Sequence, residues 1–149
     1  MRRLIQLTLL ASALLVAGSS FAQSGPFQYY PLSPCRLVDT RNANSTNGGP
    51  IFGTNTTRNF TVRGLCGVPT SAKAVSLNVT VTGATAPSWL AVWPSGQTRP
   101  NVSMINFESS DPALANGIIV GLSTAAQDLS VYNNFGNVHV IVDVTGYFQ

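Results

Sequence analysis

Val75-Ser76-Leu77-Asn78-Val79-Thr80-Val81-Thr82 alternates strictly between apolar and polar side chains. A period of two sends successive side chains to opposite faces of an extended chain, so this stretch reads as a strand with one buried and one hydroxyl-rich face. Carried outward, the same reading predicts strands at 35–40, 59–63, 88–93, 102–107, 117–122, 129–133 and 138–147, eight in all. Between them stand turn formers: Asn47-Gly48-Gly49-Pro50, Gly67-Val68-Pro69, Pro94-Ser95-Gly96, Ser109-Ser110-Asp111-Pro112 and Asn133-Asn134-Phe135-Gly136. Helical spacing is confined to the first residues, although 113–116 has the composition for a single helical turn. The expected fold is all-β, a β-sandwich of about eight mostly antiparallel strands. A membrane-spanning barrel fits less well, because only two of the expected strands approach the roughly ten residues that such a barrel needs.

The N-terminus belongs to a different logic. Arg2 and Arg3 precede an uncharged apolar run over 4–17, and Ser20-Phe21-Ala22 supplies small residues around a bulky one. That is the pattern of a secretory signal peptide over 1–22, cleaved after Ala22. Its core is too short for a spanning helix, which needs about 20 apolar residues, and no second apolar run follows, so no membrane span is expected after cleavage. Residues 23–33, with Phe27, Tyr29 and Tyr30, are expected to form an N-terminal arm that either lies across its own sheet or adds a strand to a neighbour. The single domain is expected over 34–149.

Removing the leader also changes the charge. Eight Lys and Arg stand against five Asp and Glu, a net +3; loss of Arg2 and Arg3 lowers that to about +1. Charge is sparse, at 9% of residues, so nothing supports a nucleic-acid partner. Cys35 and Cys66 both remain, and an even pair in an exported chain with no metal-ligand spacing reads as a disulfide. It would close the base of a long exposed loop over 41–58, rich in Asn, Thr and Gly, where mobility is expected to concentrate.

Several strings occur in a fixed order: Pro34-Cys35-Arg36-Leu37-Val38-Asp39-Thr40-Arg41, then Leu77-Asn78-Val79-Thr80, Val92-Trp93-Pro94, and finally Val142-Asp143-Val144-Thr145-Gly146-Tyr147-Phe148. Together they resemble a β-rich module of bacterial secreted and cell-wall-associated proteins, which begins near P-x-R-x-x-D-T-R and ends near V-D-V-x-G-Y-F. The resemblance spans 31–148. It implies an accessory or surface domain with no assigned ligand and no catalytic residues, and it carries a tryptophan at the position of Trp93. No catalytic partner is expected on the same chain, and that expectation favours a self-associating or surface-coating role.

The chemistry-bearing residues give little to a catalyst. His139 is the only histidine and alternates with Val138 and Val140; no G-x-S-x-G turn accompanies it, so no catalytic residue is assigned. Five scattered acids give neither a glycosidase pair nor a calcium loop, and neither metal nor cofactor is expected. Cys35, Leu37, Asp39 and Arg41 share a face on an extended strand, so an inward Leu37 would place Asp39 at or near the core edge, where Arg41, Arg36 or turn amides could supply its donors; Asp39 and Arg41 are the expected structural ion pair. Trp89 and Trp93 lie four apart, on one face and about 13 Å from each other. If Leu90 and Val92 fill the core, the two indoles form an exposed platform for a sugar ring or a protein anchor; the plainer alternative packs one or both inward. Two functional classes follow. One is a secreted structural or assembly module that self-associates. The other is a carbohydrate- or cell-wall-binding module using exposed aromatics. An enzyme is not expected, and the medium, the cell surface and the periplasm all suit the leader.

Overall fold

The structure, a computed structural model, describes residues 25–149; the expected leader over 1–22 lies outside the described residues. Eight strands follow in chain order: β1 (Tyr29–Asp39), β2 (Thr56–Phe60), β3 (Ala74–Thr82), β4 (Ser88–Pro94), β5 (Ile105–Phe107), β6 (Ala113–Gly121), β7 (Leu129–Asn133) and β8 (His139–Phe148). They form two four-stranded sheets, ordered β1-β8-β3-β6 and β2-β7-β4-β5, and every pairing is antiparallel. The described residues are thus an all-β sandwich and not a single closed ring of strands. Val75, Leu77, Val79 and Val81 of β3 meet Val140, Val142 and Val144 of β8, and across the interior Phe60, Leu90, Val92, Ile105, Phe107, Leu129 and Val131 of the second sheet. The alternation in β3 is what builds this core, with Val75, Leu77, Val79 and Val81 buried and the residues between them half-buried.

Four elements depart from the expected bounds by three residues or more: β5 is only Ile105–Phe107 and not 102–107, and β1, β2 and β6 depart for local reasons. β1 begins at Tyr29, so half of the expected arm is strand. Tyr29 pairs with Phe148, Tyr30 with Tyr147 and Pro31 with Gly146, and Gln28 and Gln149 exchange backbone hydrogen bonds at 2.9 and 3.1 Å. Pro31 and Pro34 are tolerated because β1 is an edge. A Cβ at Gly146 would run into the Tyr29 ring, so glycine there lets the arm lie flat. β2 lies earlier than 59–63 because the Val62 and Arg63 amides turn to the Asp128 carboxylate, at 2.7 and 2.9 Å, and leave the ladder. Residues 113–116 are strand and not helical: they pair with 79–82 of β3, and the ladder overrides a weak local preference.

The loop over 41–58 also corrects its expectation. Residues 41–46 are exposed, but the rest is pinned. Phe52 is fully buried and exchanges backbone hydrogen bonds with Val138. The Asn47 amide nitrogen donates to the Leu37 and Thr61 carbonyls. Arg58 donates to the Gly48, Gly49 and Pro50 carbonyls while its guanidinium lies over the Phe52 and Phe60 rings. Cys35 and Cys66 form a disulfide across 31 residues, tying β1 of the first sheet to the turn that follows β2 of the second.

Candidate functional site

The outer face of the second sheet carries Trp89, Ala91 and Trp93. Leu90 and Val92 are in the core, so the tryptophans do point away from it. They are nevertheless not an open pair. The chain folds back after the Pro94-Ser95-Gly96 turn, where Gly96 takes a φ of 81°, and the Gln97 carbonyl accepts a hydrogen bond from the Trp93 indole at 3.0 Å. Trp93 is left 7% exposed, packed with Ala91 and Tyr132. The two-indole platform is therefore corrected to one tryptophan.

Trp89 remains half-buried. Its ring tilts against Tyr132 at 5.3 Å, and the Arg99 guanidinium sits 3.8 Å over Tyr132 and 5.8 Å from Trp89. Trp89 and Asn106 form a ridge between two shallow clefts. One, of about 270 Å³, adds Asn101, Val102 and Ser103; the other, of about 400 Å³, is lined by Ser88, Phe107, Glu108, Asp111 and Asn134 among others. An aromatic face with amides, hydroxyls and two carboxylates around it can stack on a ring and accept and donate hydrogen bonds at its rim.

In the other sheet, the strings that open and close the domain lie side by side as β1 and β8. A bulge at Arg36/Val38 shifts the alternation by one residue, so Asp39 leaves the face of Leu37. It joins Arg36 and Asp143 on the outer face of the sheet, away from the core, yet it is buried there at 6% exposure. Arg36 donates two bonds to Asp143, at 2.9 and 3.2 Å, and reaches Asp39 at 3.4 Å. Arg41 grips Asp39 with Nε at 2.8 Å, Nη2 at 2.7 Å and its backbone amide at 3.1 Å. Hydrogen bonds from Arg41, and then the two positive charges, hold the Asp39 carboxyl well below the usual carboxylate range, and Asp143 raises the pKa of Arg36 in turn. The Thr40 hydroxyl accepts the Val140 amide at 2.8 Å and lies 3.2 Å from His139 Nδ1. Thr40 is buried, so the Thr40–His139 pair fastens β1 to β8 and offers no accessible nucleophile.

A second ion pair was not foreseen. Asp128 is buried and accepts from the Val62 and Arg63 amides and from Arg63 Nη1; Arg63 also donates to the Ala72 and Ser123 carbonyls. Its partners are 65 residues apart, and no spacing in the sequence points to them. Among the described residues, no three His, Cys, Asp or Glu side chains converge as metal ligands would.

One further surface stands out. β6 is the outermost strand of the first sheet, and most of its residues are exposed, Ile119 to 65%. No protein-family model matches the chain, and no match is found among the curated proteins.

Proposed function

We propose that this chain is an exported, non-catalytic structural module that associates through the open edge strand β6. Export is supported by the basic, apolar and small-residue leader and by the Cys35–Cys66 disulfide. A non-catalytic role is supported by the way six of its charged side chains are committed to one another: Arg36, Asp39, Arg41 and Asp143 form a neutral cluster, and Arg63 and Asp128 form another.

The observation that carries the reading is how differently the four sheet edges are treated. Unprotected edges invite pairing with other chains, and proteins blunt them with prolines, charges or short length. β1 has Pro31, Pro34 and Arg36; β5 is three residues long; β2 is five residues long and carries Arg58. β6 is nine residues, Ala-Leu-Ala-Asn-Gly-Ile-Ile-Val-Gly, with neither proline nor charge. Sedimentation velocity of the oxidised protein, residues 23–149, over a wide concentration range tests this. Concentration-dependent association is expected, and a monomer throughout would overturn the reading.

A second reading is favoured by the Trp89 clefts: binding of a glycan that stacks on the indole. It predicts that cell-wall or extracellular polysaccharide fragments shift tryptophan emission and that Trp89→Ala removes the shift. Trp93 is already shielded, so a shift that survives Trp89→Ala would sink it.

A further inference from the structure

From the geometry of β6 we infer its partner and its stopping point: a second copy of this chain pairs with it antiparallel about a two-fold axis at Gly117, giving a closed dimer with one continuous eight-stranded sheet. This rests on the reading of β6 as an association edge and adds to it the occupant, the register and the closure.

The backbone sets which residues can pair. Leu122 donates its amide to the Lys73 carbonyl at 2.8 Å, and β3 and β6 continue in register from Ala74↔Gly121 to Thr82↔Ala113. In an antiparallel ladder the hydrogen-bonding direction alternates along a strand. The amides and carbonyls of Val120, Ile118, Asn116 and Leu114 therefore turn to β3, and those of Gly121, Ile119, Gly117, Ala115 and Ala113 face outward. Among the described residues, no hydrogen bond outside that ladder reaches any of these five residues. Each offers one donor and one acceptor, which an identical strand running the opposite way complements.

The window is bounded at both ends. Pro112 has no amide to donate, and its carbonyl accepts from the Thr82 hydroxyl at 2.7 Å. Beyond Gly121 the chain turns inward, with Leu122 buried and the Ser123 amide bonded to Asp128. Only a register centred on Gly117, the midpoint, uses the whole strand. It places Ala113 opposite Gly121, Ala115 opposite Ile119, and Gly117 opposite its own copy, where the missing side chain permits close approach. The ends also agree in charge. Antiparallel pairing carries the Glu108–Asp111 turn of one copy toward the end of the other where Lys73 flanks Leu122; parallel pairing would bring acids toward acids. Isologous contacts of this kind close on themselves, so the edge is used up at two copies. One strand pair is smaller than a standard interface of roughly 800 Å² per partner, and a dissociation constant in the micromolar range or above follows.

Ala115 and Ile119 lie on the outer face beside Thr80 and Ser76, where substitution leaves the core untouched. In the inferred register they oppose each other across the dimer. The oxidised protein and four double variants are compared by sedimentation velocity, with thermal unfolding to verify that each is folded. The mixed-charge variants, A115E/I119K and A115K/I119E, are expected to retain the dimer. The like-charge variants, A115K/I119K and A115E/I119E, should dissociate about tenfold more readily, because opposed like charges on neighbouring strands repel. Equal dimerisation of mixed and like variants would overturn the register, and wild-type species larger than a dimer would overturn the closure, while association itself stood. A wild-type monomer at every concentration would instead remove the underlying reading of β6.

Discussion

Asp39 shows how much one buried carboxylate on the outer face of a sheet can do. Its carboxylate is shielded mainly by two half-exposed guanidinium groups and a backbone amide. A carboxyl whose pKa is lower in the folded than in the unfolded state adds stability fully above its unfolded value, near 3.9, and loses it as pH falls toward the folded value. The expected outcome is a thermal midpoint that is flat from neutrality to about pH 5 and declines below about pH 4, more steeply in wild type than in Asp39→Asn. The two curves should converge in acid. Because both arginines are well solvated, the gap at neutral pH should be modest, about 1 kcal/mol; parallel curves down to pH 2 would contradict the assignment. The Asp39–Arg41 partnership could be seen in the sequence, since the two are neighbours on one strand end. Its face could not, because a bulge is set by tertiary pairing with β8. Asp128 gave no local signal at all, for its donors lie on the far side of the chain.

Elements were easiest to read where burial is one-sided. β3 and β8 follow their apolar alternation, and β4 and β7 lie where their aromatic and branched residues put them. Bounds failed where a side chain replaced the ladder, as Asp128 does after β2, or where a partner strand captured an ambiguous segment, as β3 does with 113–116. The 41–58 loop misled for another reason: its Asn and Arg side chains satisfy the loop's own carbonyls, and composition alone cannot distinguish a solvated amide from one that pins a turn. The disulfide belongs at this scale too, because it joins an edge strand to a turn between the sheets. Removing it with Cys35→Ala/Cys66→Ala should cost roughly 3–4 kcal/mol on the chain-entropy account, read as a lower urea midpoint. Amide exchange should quicken in β1 and around 62–68 before β3. Uniform quickening across both sheets would mean that the bridge serves the whole core and not that junction.

The whole molecule places its chemistry at its margins. One outer face is closed by the Arg99 segment over Tyr132 and Trp93, one edge is left open at β6, and the charged residues brace strand to strand. From the sequence the two-sheet architecture could be derived, but strand order could not, since alternation says which residues are buried and not which neighbour they meet. That is why β6 passed as an ordinary strand: its exposure follows from being last in the order β1-β8-β3-β6. The two-tryptophan platform failed at the same level, because what covers Trp93 is a loop whose return path no local pattern encodes. The hydrogen bonds that join Gln28 to Gln149 have a different consequence. The described fold is entered and left at a single point, so it could be spliced into a surface loop of another protein, or cyclised and reopened elsewhere, with little rearrangement of its core. A unit with that property is portable, and its position within a longer chain can change without changing its shape.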